Sequence, residues 1–317
     1  MNTTNSPVAG SPGGGMNTRP RGAVRILHPA RDKADWPRTE EDEERARGLR
    51  RICVLDTETT GLDPARHQVI EICAAQVQVD AAGQIAGIYS IGSALQDPGH
   101  PLPDAIAELT GLDDAVLKGR HADREKLTEF VGSCEGVIAF NAAFDRPFVE
   151  NLLPDLPQMP WGCAMKDVAW RHLGFEPGPQ NYLLMQSGYY PPLAHRARED
   201  VLSLVQLLSH QCADGESVMA KQLAAMASPA WRFEATRAPY QAKDALKERG
   251  YRYRKQGQGA LWHKQVRAGE YDAELAWYRE TVKMEPTVVP LPATERYRAD
   301  YTWQPVPPEG GWPRWLS

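Results

Sequence analysis

The first sustained apolar run of the chain is Ile52, Cys53, Val54 and Leu55, a partly β-branched stretch with the length of a buried strand. It ends in Asp56 and Glu58, one residue apart, and then in Gly61, which can turn the chain back. Residues i and i+2 of a strand point to one face, so the two carboxylates project together. Residues 69–79 and 85–91 are β-rich again, and residues 80–84, with Gly83, carry a hairpin signal between them. The three strands are therefore expected to form a meander. Helical spacing takes over at 105–109, 113–117 and 123–131, and a charged helix is expected before the first strand, at 39–51. A short apolar strand at 136–140 then leads into a helix through Leu153.

Two later helices place acids where apolar residues belong. On the 141–153 helix, Asp145 shares a face with Phe148, Val149 and Leu152 at helical spacing. A carboxylate on a core stripe is costly unless paired or liganded. On the helix that opens at 194–200 and runs to Leu208, Ala197, Val201, Leu204 and Leu208 form the stripe, with Asp200 beside it and Glu199 directed to solvent. His195 precedes that helix, where a loop can hold it near the same place. Glu71 lies within the second strand, either supporting the site or on an exposed face.

Like charges at the end of a buried strand repel and lose hydration unless something positive sits between them. A polar strand end facing water is the alternative for Asp56 and Glu58 alone. With Asp145 and Asp200 added, four carboxylates arrive from separate elements. That is the ligand set for two divalent ions, Mg²⁺ or Mn²⁺, about 3.5–4 Å apart, clamping the oxygens of an in-line phosphoryl displacement. His195, with an ordinary pKa of about 6.5, suits the general base. No G-x-x-x-x-G-K-[ST] and no G-x-G-x-x-G is present to suggest nucleotide-driven work.

Composition changes the picture in two places. The 317 residues are 42% hydrophobic and 24% charged, as in a globular chain of about two domains. No apolar run is long enough to span a bilayer, and the N-terminus lacks a signal-peptide core. Five scattered cysteines without a C-x-x-C pair point away from structural zinc and disulfides and toward a reducing cytoplasm. Net charge is -5, but residues 232–267 hold ten basic residues against three acids, a net +7, leaving -12 elsewhere. Such asymmetry fits a segment that holds a polyanion, against the plainer reading of a solvated basic face.

The motifs Asp56-x-Glu58-Thr59-Thr60-Gly61-Leu62, Asn141-x-x-Phe144-Asp145 and His195-x-Ala197-x-x-Asp200 occur in that order. Together they resemble the three exonuclease motifs of the DEDDh (DnaQ-like) 3′–5′ exonucleases, over residues 51–210. The resemblance implies an α/β ribonuclease H-like fold with a five-stranded mixed sheet whose first three strands are antiparallel. It implies Asp56, Glu58, Asp145 and Asp200 as metal ligands, His195 as general base, and Thr59, Thr60, Leu62, Asn141 and Phe144 around the 3′-terminal nucleotide. Phe140 departs from the pattern, since many members have histidine before the asparagine.

A second stretch, with Ala238-Pro239-Tyr240, Lys243-Asp244, Leu246-Lys247, Arg249-Gly250-Tyr251 and Tyr253, then Gly259, Leu261-Trp262 and Lys264, resembles a C-terminal module of some bacterial exonucleases of this group. It reads as a helix over 241–249 ended by Gly250, then two short strands. Its basic residues (Arg252, Arg254 and Lys255 among them) and its aromatics Tyr251, Tyr253 and Trp262 suit backbone tracking and base stacking, or in part a small core. The expected organisation is a disordered segment 1–38, with Met16 a possible alternative start, and a charged lead-in 39–50. An exonuclease domain 51–226, a small basic α+β module 229–283 and a Pro/Trp-rich tail 284–317 follow. The expected activity is metal-dependent 3′–5′ hydrolysis of DNA, with single-stranded 3′ ends as partner. Hydrolysis of RNA 3′ ends, a catalytically inactive binding protein and a polymerase proofreading subunit are the alternatives.

Overall fold

The structure is a computed structural model that describes residues 26–193, 195–256 and 259–298. Of the segment 1–38 expected to be disordered, residues 1–25, with Met1 and Met16, lie outside them, as do Trp303, Trp312 and Trp315 of the tail and the side chains of Arg254 and Lys255. Residues 26–38 are instead packed, with His28 and Pro29 paired to Tyr189 and Tyr190 and Trp36 buried.

The apolar run grows into a ten-residue strand, β1 (Arg50–Thr59), which carries both acids within it rather than beyond its end. Antiparallel pairing joins it to β2 (Val69–Val79), and β2 to β3 (Ile85–Leu95), giving the meander. On the other side of β1 lie the parallel strands β4 (Val137–Ala139) and β5 (Trp161–Cys163). The order β3-β2-β1-β4-β5 is a five-stranded mixed sheet of the ribonuclease H-like exonuclease fold. The charged helix before β1 is shorter than its composition suggests, Glu41–Ala46, because Gly48 takes a left-handed turn and Arg50 already pairs with Val79.

Both faces of the sheet are covered, and the period of two sorts the residues between them. Ile52, Val54, Cys73, Ala75 and Val77 pack into one core with α2 (Ala197–Leu208) and α3 (Val218–Ala227). Cys53, Leu55, Ile72 and Ala74 pack into the other with Phe148, Val149 and Leu152 of α1 (Ala142–Leu152). The alternation puts Asp56 and Glu58 on the α2 face and Thr57 on the α1 face.

Beyond α3, a four-stranded antiparallel sheet of order β9-β6-β8-β7 follows: β6 (Ala230–Ala235), β7 (Arg252–Gln256), β8 (Gly259–Arg267) and β9 (Thr287–Pro290). Two helices, α4 (Lys243–Glu248) and α5 (Tyr271–Val282), complete its core around Phe233, Leu246, Tyr251 and Tyr278. Tyr251 is thus a core residue, whereas Tyr253 is exposed and lies against Trp262 with ring centroids 5.3 Å apart. The helix expected from 241 begins at Lys243, after a short 3₁₀ turn at Tyr240–Ala242. Residues 287–298, expected in the tail, are part of the packed structure: β9 pairs with β6, and the segment after it returns to the first sheet. There the Trp161 amide donates to the Ala293 carbonyl (3.1 Å), and Arg146 donates to the carbonyls of Thr294 and Arg296 (2.6 Å each). Among the described residues no helix is long and apolar enough to cross a membrane.

Candidate active site

The site forms where β1, α1 and α2 converge. Asp145 reaches it from the α1 face, 3% exposed, because Thr57 points to that face. One oxygen, Oδ1, accepts from the Thr57 amide (3.1 Å) and the Thr57 hydroxyl (2.8 Å). These bonds orient the carboxylate across the strand from Asp56 and Glu58. Burial pushes the Asp145 carboxyl up to about 7, against the lowering pull of Thr57.

Asp200 sits in the first turn of α2, half-buried, where the helix amide dipoles favour an anion. Its amide donates to the Arg196 carbonyl (3.0 Å). Burial raises its carboxyl to about 6, with the His195 charge pulling the other way. Glu199 is half-buried rather than solvated, 4.0 Å from Arg198.

The start of α2 is pinned to β2. Glu71 is buried, so the reading that put it on an exposed strand face does not hold. Its carboxylate accepts from Arg196 Nε and Nη2 (3.1 Å each) and from the Ala197 amide (3.3 Å). Glu71 also lies directly opposite Glu58 in the β1–β2 register. His195 precedes this anchor with φ +61°, a left-handed conformation that a non-glycine residue holds only when its surroundings impose it. Its ring is exposed. Single ligand atoms of Glu58, His195 and Asp200 all lie within 4.8 Å of one another.

Electrostatically the acids form one unit. The Asp56 carboxyl is pushed well above its ordinary range, first by burial and then by Asp145, Asp200, Glu58 and Glu71. Burial, and then Asp200, Glu71 and Asp145, drive Glu58 up to about 8. The nearby cation, Arg196, opposes this only weakly because its guanidinium is spent on Glu71. A set of hard oxygen donors with a charge deficit of this kind fits a divalent cation. Thr57→Val, which removes the hydroxyl that orients Asp145, is expected to weaken Mn²⁺ binding about 10–100-fold by calorimetric titration.

Of the residues expected around a terminal nucleotide, Leu62, Asn141 and Phe144 line one cleft of about 270 Å³. Leu62 is 83% exposed at its mouth. Thr59 and Thr60 instead shape the turn: Thr59 donates to the Gly61 carbonyl (2.7 Å), and the Thr60 hydroxyl accepts from the Gln68 amide (3.1 Å). A Cβ at residue 61 would lie 2.7 Å from the His67 ring, so a larger residue there would have to push that ring aside. Phe140 is half-buried and packs against the α2-side core, and its carbonyl accepts from the Met165 amide (2.9 Å). Sequence reasoning did not place Met165 and Lys166 at the cleft, and Arg252 joins them from the second sheet. No periodic signal marks Met165 or Lys166, which stand on a single helical turn, Ala164–Asp167.

Residues 53–169 match the family model described as Exonuclease. The PolC-type DNA polymerase III of Thermotoga maritima is 34% identical over 110 residues, which is 34% of this chain and 8% of the polymerase. That of Streptococcus agalactiae is 37% identical over 98 residues, 30% of this chain and 6% of the polymerase. The chain thus spans under a tenth of the length of these relatives. Among solved structures it is similar to exonuclease X in complex with 5′ overhanging duplex DNA, at 23% identity and TM-score 0.40, covering 53% of this chain and 99% of that one. It is also similar to E. coli exonuclease I in complex with a dA16 oligonucleotide, at 13% identity and TM-score 0.45, covering 78% and 66%.

Proposed function

We propose that the chain, which carries a DnaQ-like exonuclease domain over residues 53–169, is a metal-dependent 3′–5′ exonuclease that releases nucleoside 5′-monophosphates from DNA. The observation that carries this reading is the convergence of Asp56, Glu58, Asp145 and Asp200, with His195 beside Glu58 and Asp200, on one end of the sheet.

Asp56, Glu58, Asp145 and Asp200 would hold two divalent cations, Mg²⁺ or Mn²⁺. When bound, these would supply Lewis-acid stabilisation of the attacking water and of the leaving 3′ oxygen. His195 takes the proton of the attacking water, and the nearby Asp200 stabilises the imidazolium that results. The left-handed backbone of His195, just before the Glu71–Arg196 pair, leaves a ring nitrogen within 4.8 Å of ligand oxygens of Glu58 and Asp200. Leu62, Asn141 and Phe144 seat the last nucleotide, and the exposed Leu62 side chain meets the base rather than the phosphate. DNA is favoured over RNA because the two PolC-type relatives named above are DNA polymerases. A single-stranded 3′ end is the fitting substrate, because a cleft of about 270 Å³ matches one unpaired nucleotide.

Digestion in H₂¹⁸O tests the chemistry. Each released nucleoside 5′-monophosphate should carry one ¹⁸O on phosphorus by mass spectrometry. Release of 3′-monophosphates would reject the mechanism.

A further inference from the structure

The nucleotide cleft does not end at its rim. It shares Ala143, Lys166 and Arg252 with a second groove of about 460 Å³ that runs along the β8 face of the second sheet. Six lysines and arginines line this groove against two acids, Glu270 and Glu295. Several of those cations are already committed: Lys264 to Glu274 (2.6 Å), Arg298 to Glu150 and Glu295 (3.4 Å each), and Arg267 to the fully buried carboxylate of Asp167. Lys166 and Arg252 are different. Both are exposed, and among the described residues neither has a carboxylate within ion-pairing distance. Partial desolvation in the cleft holds the Lys166 ammonium below its ordinary value, and the charge of Arg252 pushes the same way. Two cations so placed repel each other unless an anion lies between them.

The chain invests in keeping them together. Asp167, the neighbour of Lys166, is the buried anchor of the junction between the two sheets. Its Oδ1 accepts from Arg267 of β8 and from the Tyr297 hydroxyl, and its Oδ2 accepts from the Cys163 amide (2.9 Å) and from Gln222 (3.1 Å). Arg267 also donates to the Ala225 carbonyl (3.0 Å), and Arg296 to the carbonyls of Ala225 (2.9 Å) and Met226 (3.3 Å). Tyr297 holds φ +70° to reach Asp167. Because β7 pairs with β8, this network fixes Arg252 relative to Lys166. Buried bonds thus set the spacing of the two backbone positions from which the exposed cations project.

We propose that Lys166 and Arg252 form a two-part phosphate clamp on the single strand just behind its 3′-terminal nucleotide. The basic groove then carries the strand on across the second sheet. The clamp rests on the exonuclease reading for the direction of the strand, and its ligand is the phosphodiester backbone, read without regard to base. Arginine suits bidentate contact with a phosphate, and lysine supplies a point charge beside it.

The test is fluorescence anisotropy of the full chain with 5′-labelled oligothymidylates of graded length, in EDTA so that nothing is cut. Wild type should bind more tightly as the oligomer lengthens. Arg252→Ala and Lys166→Ala should each weaken binding of the long oligomer about tenfold. The slope of log Kd against log salt should become shallower by about 0.7 for each phosphate no longer neutralised. Arg252→Lys should restore part of the affinity. Unchanged affinity and salt slope in both alanine variants would overturn the clamp, even if wild type degrades DNA. If wild type fails to degrade any oligomer yet shows the charge-sensitive gain with length, the exonuclease reading and the placement behind a 3′ end fall, and the backbone clamp itself stands.

Discussion

Asp145→Asn should cut turnover by about 10²–10³-fold, the loss typical of removing one electrostatic stabiliser of a transition state. The same substitution should raise the Tm of the metal-free protein. An asparagine oxygen still accepts from the Thr57 amide and hydroxyl, so the local geometry survives. What disappears is one negative charge, buried and facing Asp56, in a site whose carboxyls already stand well above their ordinary values. Above pH 7 that charge destabilises the fold, and its removal should return about 1–2 kcal/mol. Loss of activity with gain of stability is the signature of a site built for a ligand rather than for the fold. A variant that is both inactive and less stable would mean that Asp145 is structural.

The metal-free protein should lose stability as pH rises from about 4 to 8. Glu58 is raised to about 8, Asp145 to about 7 and Asp200 to about 6, with Asp56 raised as well. A carboxyl whose folded pKa lies above its unfolded value binds its proton more tightly in the folded state. Its stabilising contribution is full below the unfolded pKa of about 4 and is lost as pH climbs through the folded value. A carboxyl raised tenfold in proton affinity contributes about 1.4 kcal/mol, so the site as a whole should lower Tm by roughly 10 °C between pH 5 and pH 8 in EDTA. Mg²⁺ or Mn²⁺ should flatten the curve, since an ion at about 100 times its Kd adds about 2.7 kcal/mol of stability. Thermal melts with and without metal across that range measure both effects. A metal-free Tm that rises toward pH 8 would contradict the electrostatic account of the site.

The parts of the fold that were legible in the sequence are those written in local periodicity. Alternation along Ile52 to Glu58 told which residues share a face, and the 3.6-residue stripes of α1 and α2 exposed Asp145 and Asp200 as acids out of place. Thr57 was illegible because its role depends on which helix covers the opposite face of β1, and that helix lies 88 residues away. Glu71 remained ambiguous for the same reason, since burial by Arg196 is decided 125 residues downstream. The second sheet was half visible. The hairpin of β7 and β8 and the helix before it carry turn signals and aromatics, whereas β6 and β9 lie far apart in sequence and owe their pairing to tertiary contact. The Asp167 junction had no sequence signal, because an aspartate after a lysine on one helical turn looks like ordinary surface until Arg267 and Tyr297 reach it.

The most direct measurement uses 5′-labelled single-stranded DNA and RNA oligomers of one sequence. Each is incubated with Mg²⁺ or Mn²⁺ and with EDTA, beside an Asp56→Ala/Glu58→Ala double variant. A metal-dependent 3′–5′ exonuclease should give a ladder that shortens from the 3′ end, vanishes in EDTA and in the double variant, and advances faster on DNA. Internal cuts, or degradation that persists without metal or in the variant, would contradict that reading.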